Sequence, residues 1–219
     1  MKNILSKGQL SILIVLGVLI LDQIIKIVVK TTMYYGESIH ITDWFYLCFI
    51  ENPGMAFGTQ IMPKAAQTIL RILFSGAIIW YIAMLVKADY KRGYIVCISL
   101  ILTGAVGNII DSVFYGVIFS ESTSSDISTF VPIGQGYTDW LHGKVVDMFY
   151  FPFFEFTWPS WMPFIGGDNF LFFSAIFNLA DAAITCGVFI LCIFYIKDFS
   201  NSIHLVNNKL KSFMRKEHS

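Results

Sequence analysis

The chain has 219 residues, of which 56% are hydrophobic and 14% charged, and its formal net charge at pH 7 is zero. A soluble domain of this length has fewer apolar and more charged side chains, so the composition indicates a membrane protein. The balanced charge gives no reason to expect nucleic acid as a partner. The four cysteines and four histidines lack ligand spacing, so we expect no disulfide framework, metal or other cofactor.

Four apolar segments are long enough to cross a bilayer as helices, which takes about 20 residues each. In chain order they are about 9–29, 65–86, 93–117 and 170–196. They predict a single membrane domain over 1–219, with outer loops at 30–64 and 118–169. No small-residue cleavage site follows the first segment, which we interpret as a retained helix. Lysine and arginine concentrate at both termini and between the second and third segments, so both termini are predicted to be cytoplasmic.

The two outer loops are rich in aromatic residues, which favour the headgroup zone of a bilayer. The stretch IHITDWFYLCFIENPGMAFG, residues 39–58, combines strand-forming residues with a Pro-Gly turn. This pattern predicts a small sheet lying on the membrane. A loop that only packs on its own helices fits the same composition as well as one that holds a ligand.

Polar residues inside spans cost about 2.5–3.5 kcal/mol each at mid-helix when charged, and they indicate function by default. Three predicted helices contain such residues in pairs about one helical turn apart. The pairs are Asp22 and Lys26, Asn108 and Asp111, and Asn178 and Asp181. Each pair lies between the midplane and the outer surface. The alternatives are a packing ion pair for the first, a cap or snorkelling role for Asp111, and interhelical hydrogen bonds for the asparagines.

Asp147 is a further carboxylate in an apolar setting, within KVVDMFYFPFF. Two aspartates that share one proton can hydrolyse a peptide with activated water. One carboxylate takes the proton from water while the other, protonated, polarises the carbonyl. We therefore form the hypothesis that Asp147 and Asp181 act together, because no cation accompanies Asp181 on its own helix.

Five motifs follow one another along the chain, and together they identify a family. They are LDQIIK at 21–26, ENPGMAFG at 51–58, GAVGNIID at 104–111, GKVVDMF at 143–149 and FNLADAAITCG at 177–187. In these motifs and their order the chain resembles the bacterial lipoprotein signal peptidases (signal peptidase II). The resemblance implies a membrane all-α bundle of four transmembrane helices with a small periplasmic β-cradle and extended outer loops.

The resemblance also implies an activity and its partners. Such an aspartic endopeptidase of the bacterial cytoplasmic (inner) membrane removes the signal peptide from diacylglyceryl-modified prolipoproteins, cutting before the lipidated cysteine. It needs no metal or organic cofactor, contacts membrane lipid, is inhibited by globomycin, and is expected to be a monomer. By motif position, Asp147 and Asp181 match the catalytic pair. The supporting or substrate-binding positions match Asp22, Lys26, Asn52, Gly54, Asn108, Asp111, Asn178 and Ala180.

Two departures from the family pattern stand out. The family reads GNxxDR, with an arginine thought to contact the substrate, whereas Ser112 follows Asp111 here. That contact is either lost or supplied by another residue, such as Lys144 or Arg71. The additional residues 118–142 and 152–169 form either a lid, an extra outer layer or a decoration without a role. We favour contact with the substrate or the membrane surface.

Two other functions compete with peptide hydrolysis. A proton-relay transporter using Asp22, Asp111 and Asp181 would need polar residues at several depths. The cytoplasmic halves of the spans are nearly free of charge, which disfavours it. A non-enzymatic lipid-binding protein would explain the aromatic loops but gives no reason for Asp147 and Asp181.

Overall fold

The computed structural model describes residues 5–54 and 62–217, so the MAFG end of the ENPGMAFG motif lies outside the described part. The chain divides into two compact units. The first comprises Met1–Ile20, Arg71–Gly107 and Ala180–Ser219, and the second comprises Leu21–Leu70 and Asn108–Leu179. A single domain over 1–219 stays a prediction.

Three helices correspond to the first three predicted spans, the third together with its continuation to Ile118. They are α1 at Lys7–Thr32, α2 at Lys64–Lys87 and α3 at Arg92–Ile110. Helix α3 continues through a π-helical turn at Asp111–Tyr115 into a short α4 at Gly116–Ile118. Each of the three is long and apolar enough to cross a membrane. A helix suits this environment because it satisfies every backbone polar group internally.

The remaining regular structure between the helices is β-strand. The strands are β1 at Ser38–Thr42, β2 at Phe45–Asn52, β3 at Val145–Tyr150, β4 at Phe154–Thr157, β5 at Asn169–Phe172 and β6 at Ile176–Phe177. An antiparallel sheet has the order β1-β2-β3-β6, and β4 and β5 form a separate hairpin. The small sheet predicted from residues 39–58 is therefore confirmed, with β1 and β2 as its first hairpin.

The predicted fourth span at 170–196 is wrong at its N-terminal end. Residues before 179 form β5 and β6, and α5 occupies only Leu179–Phe194, 16 residues. At 1.5 Å per residue this helix is about 24 Å long, short of a hydrocarbon core of about 30 Å. Helix α6, Ile196–Glu217, follows after a 95° bend. The described residues thus contain three helices long and apolar enough to cross a membrane, or four such segments if the bent pair counts as one.

The first unit packs α2, α3 and α5 around an apolar core that includes Leu85, Tyr94 and Leu191. Gly104 allows close packing, because a Cβ at this position would lie 2.1 Å from the Ala180 carbonyl oxygen. Ala180 is fully buried. Small residues at this crossing bring α3 and α5 together, as is common between membrane helices.

The core of the second unit includes part of the additional segment 118–142. Phe119 is fully buried and packs with Tyr115, Phe49 and Val146. The chain then returns through an isolated bridge between Phe119 and Phe130. This segment is therefore built into the core of its unit, which argues against a decoration without a structural role.

Candidate active site

A buried ion-pair cluster lies on the second unit's part of α1. The Lys26 ammonium is fully buried and lies 3.1 Å from Asp22 Oδ2 and 2.8 Å from Asp111 Oδ2. It also donates a hydrogen bond of 3.0 Å to Asn108 Oδ1. The i, i+4 spacing of Asp22 and Lys26 places both on one helix face. The three ammonium protons thus have three acceptors, as a charge buried away from water requires.

Asp111 is fully buried, so its interpretation as a helix-end cap or a snorkelling residue is wrong. Its Oδ2 accepts a 3.2 Å hydrogen bond from the backbone N–H of Val146, and its Oδ1 accepts one of 3.0 Å from Gln23 Nε2. Asp111 also begins the π-helical turn, an irregularity often found at functional sites. It connects the Lys26 cluster directly to strand β3, which carries Asp147.

The two asparagines link this cluster to Asp147. Asn108 Oδ1 accepts from Lys26 and, at 3.2 Å, from Asn178 Nδ2. Asn178 is fully buried, and its Nδ2 also donates to Asp147 Oδ1 at 2.6 Å and to the Val146 carbonyl at 3.2 Å. Asp147 itself is buried at 5% exposure. The asparagines therefore form hydrogen bonds between segments, as the interhelical hydrogen-bond alternative predicts. One of these hydrogen bonds, however, is made to a candidate catalytic carboxylate.

Asn52 and Gly54 form a tight turn directly after β2. Asn52 Oδ1 accepts a 2.8 Å hydrogen bond from the Gly54 backbone N–H. Gly54 has φ +92°, and a Cβ there would lie 2.2 Å from Gln67 Oε1. The left-handed backbone conformation favours glycine, whereas the close contact is with the end of a flexible side chain that can shift. Asn52 therefore stabilises the turn within the ENPG motif.

Asp181 and Ala180 belong to the first unit, at the start of α5. The side chain of Asp181 is partly exposed, and the guanidinium of Arg71 on α2 lies within electrostatic range of it. Arg71 Nη1 is buried and has no hydrogen-bond partner within residues 5–54 and 62–217. Arg71 therefore places a buried donor, without a hydrogen-bond partner in the described residues, within electrostatic range of a candidate catalytic carboxylate.

Ser112 occupies the place of the family arginine and directs its side chain inward. The residue is fully buried, and its hydroxyl donates a 2.8 Å hydrogen bond to the Asn108 carbonyl one helical turn earlier. This is the usual self-satisfying contact of a serine inside a helix. The Ser112 hydroxyl therefore does not replace an arginine.

Three polar residues of this region were missed by sequence reasoning. They are Gln23, Lys30 and Glu51. Lys30 belongs to α1 rather than to an outer loop, and its buried ammonium pairs with the buried carboxylate of Glu51. Glu51 could have been found from the sequence, because it directly precedes Asn52 in the ENPG motif. Gln23 donates hydrogen bonds to both Asp22 and Asp111. Its position next to Asp22 in the sequence did not indicate this role.

In the described part of the chain, no group of three or more histidine, cysteine, aspartate or glutamate side chains is arranged to hold a metal ion. The polar cluster is instead composed of carboxylates, amides and one ammonium, which suit proton transfer and hydrogen bonding.

Comparisons with known proteins point to one family. The family model described as signal peptidase (SPase) II matches residues 14–197. A lipoprotein signal peptidase of Porphyromonas gingivalis is 46% identical over 192 residues, covering 87% of this chain and 84% of that protein. One of Amoebophilus asiaticus is 37% identical over 182 residues, covering 80% and 72%. A solved bacterial membrane enzyme matches with a TM-score of 0.57 and 28% identity, covering 87% of this chain and 90% of that one.

Proposed function

Because the chain belongs to the signal peptidase II family of aspartic peptidases, which process lipoproteins, we propose that Asp147 and Asp181 are its catalytic pair. The substrate is a diacylglyceryl-modified prolipoprotein, and the cut falls just before the lipidated cysteine. The observation that carries this proposal is the hydrogen bond from Asn178 to Asp147 Oδ1. It ties a motif carboxylate to the buried Lys26 cluster through two motif asparagines.

The hydrogen bond also suggests which aspartate starts as the base. An N–H donor at 2.6 Å stabilises the ionised form of Asp147. Ionised Asp147 takes a proton from the attacking water while protonated Asp181 donates to the scissile carbonyl oxygen. The tetrahedral gem-diol then collapses: the leaving amine takes the proton held by Asp147, and a gem-diol hydroxyl returns its proton to Asp181 as the carbonyl re-forms. Both carboxyl groups thus regain their starting protonation states.

Arg71 takes over the substrate contact that the family assigns to the arginine missing at Ser112. Support comes from its buried Nη1 without a partner in the described residues and from its electrostatic range to Asp181. A guanidinium presents several donors in a fixed plane, which suits a peptide or ester carbonyl at the bilayer edge. Lys144, the other candidate, already lies near Glu51 and Glu121.

Charge distribution and family membership together support a proposal for the location of the enzyme. We place it in the bacterial cytoplasmic membrane as a monomer with both termini cytoplasmic, since lysine and arginine concentrate there. The active site then lies toward the outer face with the sheet on the periplasmic side. Globomycin, the family's inhibitor, is expected to bind at the same aspartates.

The test is cleavage of a synthetic prolipoprotein peptide, with and without its diacylglyceryl group, by the purified protein in detergent. We expect cleavage of the lipidated peptide alone, inhibition by globomycin, and no turnover by Asp147→Asn or Asp181→Asn. Asp43→Asn is the matched control, because the Asp43 carboxylate is fully exposed. Substantial turnover by both site variants would remove the catalytic pair, and cleavage of the unlipidated peptide would remove the substrate assignment.

A further inference from the structure

Helix α6, Ile196–Glu217, differs from the spanning helices in composition and direction. Polar residues interrupt its apolar positions at every turn, so it lacks the run of about 20 apolar residues that crosses a bilayer. Its first part, Ile196–Asn207, follows the apolar helix α5 after a 95° bend. A helix that leaves a membrane-embedded segment at a right angle runs parallel to the membrane surface. This direction suits a helix that lies in the headgroup layer.

One face of α6 is held against the rest of the first unit. Ser202 is fully buried, and its hydroxyl forms hydrogen bonds with the hydroxyls of Tyr94, at 3.0 Å, and Tyr81. One turn earlier, Asp198 Oδ2 accepts a 2.9 Å hydrogen bond from Lys91 Nζ. Asp198 and Ser202 are four residues apart and therefore share a face. These contacts fix the rotation of α6 about its own axis.

An exposed apolar stripe lies beside this packed face. Phe199 and Ile203 each follow one of the packed residues by one position, and they are 36% and 42% exposed. Ile196, at the start of the same stripe, is 51% exposed. The sequence continues this helical spacing with Leu210 and Met214. A continuous apolar stripe on an otherwise polar helix indicates a binding surface, whereas single exposed apolar residues need no explanation.

The charge of α6 indicates what this surface binds. Five side chains of the helix are basic and two are acidic. The basic residues are Lys197, Lys209, Lys211, Arg215 and Lys216. One of the acidic residues, Asp198, already pairs with Lys91. Lysine and arginine have apolar stems and can reach phosphate groups from a helix at the membrane surface. A basic helix with an apolar stripe is typical of segments that bind anionic lipid.

We propose that α6 binds the surface of an anionic bilayer, with its apolar stripe inserted between acyl chains and its basic residues at the phosphate groups. The ligand class is a phospholipid with a negatively charged headgroup. Each face of the helix then has a suitable environment. Ser202 meets the first unit, Phe199 and Ile203 meet lipid, and the exposed side chains of Asn201 and His204 meet water.

A second copy of this chain is a less suitable occupant of the stripe. Pairing two such helices would bring their positive charges together, and juxtaposed like charges oppose association. An anionic membrane surface attracts the same charges. This inference is independent of the proposed catalytic pair, because neither Asp147 nor Asp181 takes part in it.

The test is hydrogen–deuterium exchange of the full chain in nanodiscs, followed by mass spectrometry of peptides that cover residues 196–217. One preparation contains phosphatidylcholine, and the other contains equal parts of phosphatidylcholine and phosphatidylglycerol. We expect the amides of α6 to exchange roughly five- to thirtyfold more slowly with phosphatidylglycerol, the effect of one or two basic residues near an anionic surface. The difference should shrink as salt is raised, because screening weakens the attraction. Peptides from α3 serve as the internal reference and should exchange alike in both lipids.

Two variants separate the apolar and the charged contributions. Ile203→Asn removes an exposed side chain of the stripe and should speed exchange of α6 in both lipids. The double variant Lys197→Gln/Lys211→Gln should reduce the effect of phosphatidylglycerol and leave exchange in phosphatidylcholine nearly unchanged. Lys87→Gln is the control, because Lys87 is an exposed lysine in the last turn of α2. It should retain the full effect of phosphatidylglycerol.

Three outcomes would overturn the inference. Equal exchange of α6 in the two lipids would show that the helix does not bind anionic lipid. An effect of phosphatidylglycerol that Lys87→Gln removes and Lys197→Gln/Lys211→Gln retains would place the lipid contact at the end of α2. Protection that follows the number of protein copies in each nanodisc, whatever the lipid, would assign the stripe to a second copy of the chain.

Discussion

Asn178 Nδ2 lies 2.6 Å from Asp147 Oδ1 and 3.2 Å from Asn108 Oδ1. Because Asn108 Oδ1 also accepts from Lys26, an uninterrupted path of hydrogen bonds runs from a buried ammonium to a candidate catalytic carboxylate. The polar residues of α1 and α3 thus support the sheet residue Asp147. We propose that these residues position and polarise Asp147, and variants can separate this role from catalysis and from substrate binding.

Asn178→Leu removes the amide that donates to Asp147. We expect kcat to fall roughly 10- to 100-fold, since a hydrogen bond to a charged group contributes about 1.5–3 kcal/mol. The acidic limb of the pH–rate profile should move to higher pH, because the ionised carboxylate loses a donor and takes up a proton more readily. Asn207→Leu, an exposed position on α6, is the control. An unchanged pH profile with reduced kcat would make Asn178 purely structural.

Lys26→Met leaves Asp22 and Asp111 buried without their cation. We expect a loss of about 3–5 kcal/mol in the free energy of unfolding, the usual effect of removing one partner of a buried ion pair. Denaturant unfolding in detergent measures it, with Lys91→Met as the exposed control. Adding Asp111→Asn should recover part of the loss. Full stability of the single variant would contradict the ion-pair account.

Arg71→Gln tests the proposal that Arg71 takes the place of the family arginine. Its Nη1 has no hydrogen-bond partner in the described part of the chain, so we expect little change in the unfolding midpoint. We expect kcat/KM for the lipidated peptide to fall roughly tenfold, as for one lost charge-assisted hydrogen bond. Arg92→Gln, whose guanidinium bonds the Leu5 carbonyl, serves as the comparison. Lower stability with unchanged kcat/KM would assign Arg71 to packing.

Phe119→Ala tests whether the segment 118–142 belongs to the core. Phe119 is fully buried, whereas Ile133 in the same segment is 70% exposed. We expect Phe119→Ala to lower the free energy of unfolding by about 3–5 kcal/mol, while Ile133→Ala changes it by less than about 0.5 kcal/mol. Similarly small changes in the free energy of unfolding for both variants would show that the segment is only loosely packed against the core.

Local patterns in the sequence were sufficient for the class of protein and for naming most residues of the candidate site. Runs of about 20 apolar residues can only be accommodated in a bilayer or a large core, and the i, i+4 spacing places Asp22 and Lys26 on one face whatever surrounds them. Motif order identified the family, and the Pro-Gly turn after a strand-like run located the β1–β2 hairpin. Each of these properties depends only on residues that are close together in the sequence.

Contacts between distant residues decided the rest. Gln23 meets Asp111 across 88 positions, and Lys30 meets Ser122 across 92. No local pattern distinguishes a carboxylate that ends a helix at the surface from one that is buried against a lysine of another helix, so Asp111 was misread. The start of α5 was predicted too early for a similar reason. Residues 176–177 form a strand because they pair with Phe149 and Tyr150 of β3. An apolar run permits helix or strand, and the hydrogen-bond partner that the tertiary structure offers selects between them.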